Sequence, residues 1–254
     1  MDENIIKIAL ISIAGFFGGI ALFFLGFRWL RQKRLIENTP TSKVRSIAMG
    51  MVELFGSVLP AEKKILKSPF TAKDCVYYSY RIEELRSNGK HTYWATIKKG
   101  DEKVHFFLKD NTGAVLVDPE KAKVDVPVSF RYESRWGKDP PKEVIDFLQK
   151  TGIRFESLFG INKTMRFTEM MIPLKQEIYI LGTAGDNPFV EEGTANKNEQ
   201  DIMIQKGRDI YLISTKREKD LVKGLGLRAM LGIFGGAALS IICLIIIFIN
   251  LNLI

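Results

Sequence analysis

Residues 75–83 read Cys-Val-Tyr-Tyr-Ser-Tyr-Arg-Ile-Glu, with Val76, Tyr78, Tyr80 and Ile82 apolar or aromatic and Ser79, Arg81 and Glu83 polar between them. Side chains of a strand point alternately to its two faces, so a period of two marks a half-buried β-strand. Ser87, Asn88 and Gly89 supply a turn, and His91 to Lys98 resumes a strand pattern, so the two runs read as a hairpin. Further strand-like runs lie on either side: Ala48 to Leu59, Val104 to Leu108, Ala114 to Val117, Thr164 to Ile172, Gln176 to Gly182, Asp201 to Gln205 and Asp209 to Ser214. One short helix is expected at Pro141 to Lys150. Val144, Ile145, Phe147 and Leu148 would form its apolar stripe, with Gly152 just past its end. Gly185 to Asn198 reads as a loop. Many short strands, Gly-rich turns and one helix predict a mainly β fold, a small antiparallel barrel or sandwich.

Both ends of the chain have a different composition. Ile8 to Phe27 and Ala229 to Ile249 are uncharged runs of about twenty residues, each long enough at 1.5 Å per residue to cross a ~30 Å hydrocarbon layer. A cleaved signal peptide would need a basic start and a small-residue cleavage site. Instead Met1 to Asn4 is acidic, and the first run closes on Phe27, Arg28, Trp29, Leu30 and Arg31, an aromatic and basic interface anchor. The expected layout is a transmembrane helix over 5–30, a linker over 31–46, the β domain over 47–215, a juxtamembrane helix over 216–228 and a second transmembrane helix over 229–250. Arg28, Trp29, Arg31, Arg34 and Arg228 are the expected membrane anchors. Because Lys and Arg flank the inner ends of both runs, the positive-inside rule puts the domain on the cytoplasmic side and both termini on the other. Gly15 with Gly19, and Gly232 with Gly236, form GxxxG pairs that would let two helices approach closely, within one chain or between copies, although glycine is common in membrane spans.

The 37 Lys and Arg outnumber the 29 Asp and Glu, and nearly all the excess lies between the two apolar runs. An anionic lipid surface is one partner for such charge. No nucleic-acid partner is expected, because the cations are scattered among carboxylates without a binding motif. The two cysteines imply no disulfide framework, and neither a metal site nor a cofactor is expected, since Cys and His show no zinc-ligand spacing and there is no Gly-rich phosphate loop. No catalytic residue stands out. Cys75 is the sole thiol outside the apolar runs, and burial at a strand start is its simpler reading. His91 and His105 are expected on neighbouring strands within reach of each other, but a metal needs more ligands than they supply, so strand surface is their simpler reading. Asp110 and Gly113, in Asp-Asn-Thr-Gly, suit a turn in which Asp bonds its own backbone and Gly takes positive φ, with ligand contact as the functional alternative. Trp94 and Trp136 with Tyr77, Tyr78 and Tyr80 would form either an aromatic binding face or ordinary sheet packing. Trp94, Asp110 and Gly113 are therefore the candidate contacts for a ligand or protein partner.

Several of these segments carry a family resemblance. Leu66, Lys67, Ser68 and Pro69, then Asp74 to Ser79, Trp94, Phe107 to Gly113, Val117 and Pro119, and later Arg166 to Glu169, Ile172, Pro173 and Ile178 to Ala184, together resemble the GIDE family. Its soluble part is also called the BAM, or beside-a-membrane, domain. The resemblance covers most of residues 47–250, including one domain between two apolar runs. It implies a relation to a membrane-anchored E3 ubiquitin ligase whose RING finger recruits the ubiquitin-charged enzyme. A cross-brace RING uses eight zinc ligands, whereas these 254 residues hold two Cys and two His. The expectation is a double-tethered domain that binds a protein partner or senses the membrane surface without catalysing a reaction by itself. The alternative is a ligase-like component acting with a separate RING protein.

Overall fold

The computed structural model describes residues 3–61, 65–135, 137–154, 163–190 and 201–250, with the side chains of 3–6 left aside. Two compact units result, Met1–Pro40 with Arg217–Ile254, and Thr41–Lys216.

The second unit is built on twelve strands among the described residues. Five of them close on themselves: β1 (Gly50–Pro60), β5 (Phe106–Lys109), β6 (Ala114–Val117), β11 (Ile202–Gln205) and β10 (Glu177–Asp186), with β10 pairing back to β1. β12 (Leu212–Ser214) and β7 (Lys123–Asp125) extend this sheet from the other half of β10. Alternate residues of β1 show why it closes. Val52, Leu54 and Val58 point inward with Phe106, Leu108, Val115, Val117, Ile178, Ile180 and Ile204, forming one buried cluster. Each such side chain contributes about 1.5–3 kcal/mol by leaving water. Gly56 sits at the β1–β5 junction, where a Cβ would lie 2.5 Å from the Lys109 carbonyl oxygen, so close strand approach there requires glycine. The mainly β architecture agrees with the sequence reading, but two pairings, β11 with β6 and β12 with β7, are parallel. The intervening chain places those strands beside partners far back in sequence, and hairpins alone would not.

The remaining strands form a second sheet. β3 (Asp74–Ser87) pairs on one side with β2 (Leu66–Lys67) and β4 (Thr92–Lys103), and on the other with β9 (Met165–Pro173), which pairs with β8 (Val128–Ser134). The helix α2 (Lys142–Lys150) inserts Val144 and Leu148 into a core with Ile82, Met165 and Phe167. Phe70 lies at its centre, with ring centroids 5.5–6.2 Å from those of Tyr80, Phe130, Phe147 and Phe167. This sheet thus has one face covered and the other open. Val76 and Ile172, near the ends of β3 and β9, enter the barrel core.

In the first unit, α1 (Glu3–Glu37) lies against a continuous helical run made of α3 (Glu218–Met230), a π-helical turn (Leu231–Gly235) and α4 (Gly236–Asn250). Both are long and apolar enough to cross a membrane. The first continues through Arg28, Arg31 and Arg34 to Glu37, so residues 31–37 are helical. Gly19 and Gly236 meet directly, since a Cβ on either would approach the other's carbonyl oxygen to 2.6–2.7 Å. Beside them Ser240 donates its hydroxyl proton to the Phe16 carbonyl oxygen at 3.2 Å. Gly15 packs on Cys243, and Gly232 on Gly26, a glycine outside both GxxxG pairs.

Candidate functional site

Alternation along β3, β8 and β9 sets five charged residues of the second sheet on the face away from α2. Tyr80, Ile82, Phe130, Tyr132, Met165 and Phe167 face α2, so Arg81, Glu83, Arg131, Glu133, Arg166 and Thr168 point the other way. On this open face Arg166 joins three strands. Its Nε donates to Glu133 Oε1 at 2.8 Å, Nη1 lies 3.9 Å from Glu83 Oε2, and its guanidinium carbon sits 3.9 Å from the centre of the Trp94 ring. The hydrogen bond from Arg166 holds the Glu133 carboxyl below its ordinary range, against a smaller opposing effect of desolvation. Trp94, a candidate contact from the sequence, is half-buried here on β4 and opposite Leu85. Arg166 enters the sequence reading only within the Arg166 to Glu169 resemblance segment, and Glu133 not at all.

The other aromatic candidates do not join Trp94. Tyr80 faces the α2 core, Tyr77 packs against the barrel core, and Tyr78 donates to Glu102 at 2.7 Å. Burial and that hydrogen bond together raise the Tyr78 pKa. A single face of Trp94 with these three tyrosines is therefore not formed: alternation turns Tyr78 and Tyr80 to the α2 side, and Tyr77, on the Trp94 side, lies far along β3 and packs on the barrel core. Trp136 lies outside the described residues.

Asp110 closes its turn by accepting three bonds on Oδ1, from Thr112 N (2.7 Å), Thr112 Oγ1 (2.7 Å) and Gly113 N (3.0 Å). Its Oδ2 accepts from Val44 N at 3.1 Å, and Thr112 Oγ1 accepts from Arg45 N at 3.2 Å. The Asp-Asn-Thr-Gly turn thereby clamps the segment leading into β1. Desolvation raises the Asp110 pKa, but the bonds from Thr112, Val44 and Gly113 outweigh it and leave it below its ordinary value. Gly113 does not have the positive φ expected of it. The carboxylate, already holding the turn together, makes a left-handed residue unnecessary.

Cys75 is fully buried, as its simpler reading required, and burial first, then the charges of Glu169, Asp74 and Glu102, pushes its thiol up to about 12. A thiol so protonated is no nucleophile at neutral pH. His91 and His105 do not face each other. They flank β4, which runs unbroken from Thr92 to Lys103, so they sit at opposite ends of the hairpin. His105 lies 3.6 Å from Asp118 instead. Among the described residues no group of three or more His, Cys, Asp or Glu is placed to hold a metal.

Two buried carboxylates were not singled out as sites by the sequence reading. Glu169 on β9 accepts Phe70 N at 2.6 Å and Thr71 Oγ1 at 2.8 Å, fixing the Ser68–Lys73 loop whose Phe70 fills the α2 core. Glu53 on β1 accepts Tyr179 Oη at 2.7 Å and Thr41 Oγ1 at 2.6 Å. Buried charges are stable only when bonded in this way, and both are built into the fold. The Trp94–Arg166 face of the second sheet is not covered by α2. In the helical unit Arg28, Arg31, Arg34 and Arg228 are exposed and Trp29 is half-buried.

A family model described as GIDE, E3 ubiquitin ligase, matches residues 77–247. No curated protein matches the chain, and no solved structure does.

Proposed function

The chain belongs to the GIDE family, and from that premise we propose that it is a double-tethered membrane protein whose β domain holds a protein partner beside the bilayer and does not itself transfer ubiquitin. The observation that carries this reading is the contrast within the domain. Asp110, Glu169 and Cys75, its chemically capable groups, are bonded or buried internally, while one face of the second sheet stands open with Trp94 and Arg166 on it. Aromatic and arginine side chains on a rigid scaffold are the residue types that anchor protein interfaces. The two helices supply the tether, with Arg28, Arg31, Arg34 and Arg228 as interfacial cations on the cytoplasmic side.

The family description favours a second reading, a ligase component that works with a separate RING protein. Crosslinking the tagged full-length protein in intact cells tests both. A specific soluble protein recovered with wild type and lost in Trp94→Ala is the expected result. A RING or ubiquitin-pathway protein among the captured species supports the second reading. Recovery of only the protein itself and lipid overturns the partner-binding reading.

A further inference from the structure

The open face of the second sheet carries two adjacent rows of charge that are treated differently. In one, Arg166 is paired with two carboxylates, Glu133 and Glu83, across β8, β9 and β3. In the next row the register sets Arg131 of β8 opposite Thr168 of β9, Thr168 opposite Arg81 of β3, and Arg81 opposite Lys99 of β4. Three cations and one hydroxyl thus share a line about 14 Å long, three strand spacings, and no carboxylate stands in it. Arg81, Lys99 and Arg131 are exposed. Among the described residues none of the three is within salt-bridge distance of a carboxylate, and the Thr168 hydroxyl makes no hydrogen bond. Like charges directly opposite on neighbouring strands destabilise a sheet, and the neighbouring row shows that carboxylates on this face can cancel such charge.

We propose that the Arg131–Thr168–Arg81–Lys99 row is a recognition site for an acidic segment of a partner polypeptide, lying across the strands with carboxylates or a phosphoryl group between the two guanidinium groups and over the Thr168 hydroxyl. Planar guanidinium groups bind such oxyanions in bidentate fashion, and arginine clusters are a recurrent means of reading acidic motifs. An extended segment of about five residues spans the row at 3.3 Å per residue. The site rests on the reading of the domain as a partner-binding one and specifies its chemistry. Charge complementarity favours a polypeptide: Arg81, Lys99 and Arg131 form a single line of exposed cations that an extended acidic segment can follow.

The test uses full-length protein in nanodiscs of neutral lipid and a fluorescein-labelled octaglutamate peptide. Arg81→Gln with Arg131→Gln is expected to weaken binding at least tenfold. Lys109→Gln with Lys123→Gln, the same loss of charge on exposed barrel positions, is expected to change it less than twofold. The row variant is also expected to melt no lower than wild type, since it removes a like-charge opposition. Equal losses in the two variants, or no binding by wild type, overturn the site. So does binding of the row to phosphatidylserine vesicles or single-stranded RNA in preference to the peptide. If the row variant still crosslinks the same protein in cells as wild type, this site falls and the partner-binding reading survives. If wild type crosslinks nothing, the parent reading falls.

Discussion

The Arg166 guanidinium lies against the Trp94 ring, 3.9 Å from its centre, although β9 and β4 do not pair with each other and both are hydrogen-bonded to β3. The contact crosses the open face of the sheet and ties its two outer strands through one side chain, because Arg166 also binds Glu133 on β8. Trp94→Ala is expected to destabilise the full-length protein in mild detergent by about 0.5–1 kcal/mol for the lost cation–π contact, with Trp94→Phe between wild type and Ala. A double-mutant cycle with Arg166→Gln measures the coupling. A coupling near zero would show that the ring merely overlies the arginine.

Cys75 is expected to be inert. With its thiol pushed from 9.0 up to about 12, the thiolate fraction at pH 8 falls roughly a thousandfold, and burial denies reagent access as well. In a Cys243→Ala background, maleimide labelling at pH 8 is expected only after denaturation. The folded pKa is raised, so the stability contribution is complete below pH 9 and is lost as pH rises toward 12. Rapid labelling of the native protein would refute this.

How much of this was legible depends on the range of each signal. The β3–β4 hairpin announces itself because Val76 to Glu83 alternates within one strand, and the terminal helices because their apolar runs are uninterrupted. β8 is absent from the sequence reading although Phe130, Arg131, Tyr132 and Glu133 alternate; it directly follows Pro127, which reads as a strand breaker. β2 and β7 are two and three residues long, too short to show any period. The contact of Trp94 with Arg166 depends on register across three strands, and no local pattern encodes it. His91 and His105 were expected as neighbours because β4 was read as ending at Lys98. Its continuation through Gly100 to Lys103 carries them apart.

Asp110→Ala is expected to lower stability by about 1–3 kcal/mol, the cost of leaving partly buried donors without an acceptor. The loss should register as freed backbone amides at Val44, Thr112 and Gly113 in hydrogen exchange. The wild-type carboxyl has a depressed pKa in the folded state. Its contribution is therefore present above the unfolded value near 4 and is lost as pH falls through the folded value. Asp110→Asn is expected to remove that part of the acid sensitivity. Unchanged exchange at Val44 would mean that the turn does not hold the entry segment.

The helical unit makes a sharper prediction, because its glycines differ in what surrounds them. A Cβ at Gly19 would stand 2.7 Å from the Gly236 carbonyl oxygen and 2.8 Å from Ser240 N, and one at Gly236 would stand 2.6 Å from both the Gly19 carbonyl oxygen and Phe23 N. These are backbone atoms, which cannot swing aside as a flexible side chain can, so the helices must separate along this contact. At Gly18 and Gly235 a Cβ would meet nothing within 4 Å. Gly19→Ala and Gly236→Ala are expected to lower the melting temperature in mild detergent, each by an amount typical of overpacking, about 1–3 kcal/mol. Gly18→Ala and Gly235→Ala, which also gain helix propensity, are expected to leave it unchanged or raise it. Because a methyl at either contact position forces apart the same pair of backbones, the double variant Gly19→Ala with Gly236→Ala is expected to cost less than the sum of the two singles. Additive losses would place the two glycines in separate contacts.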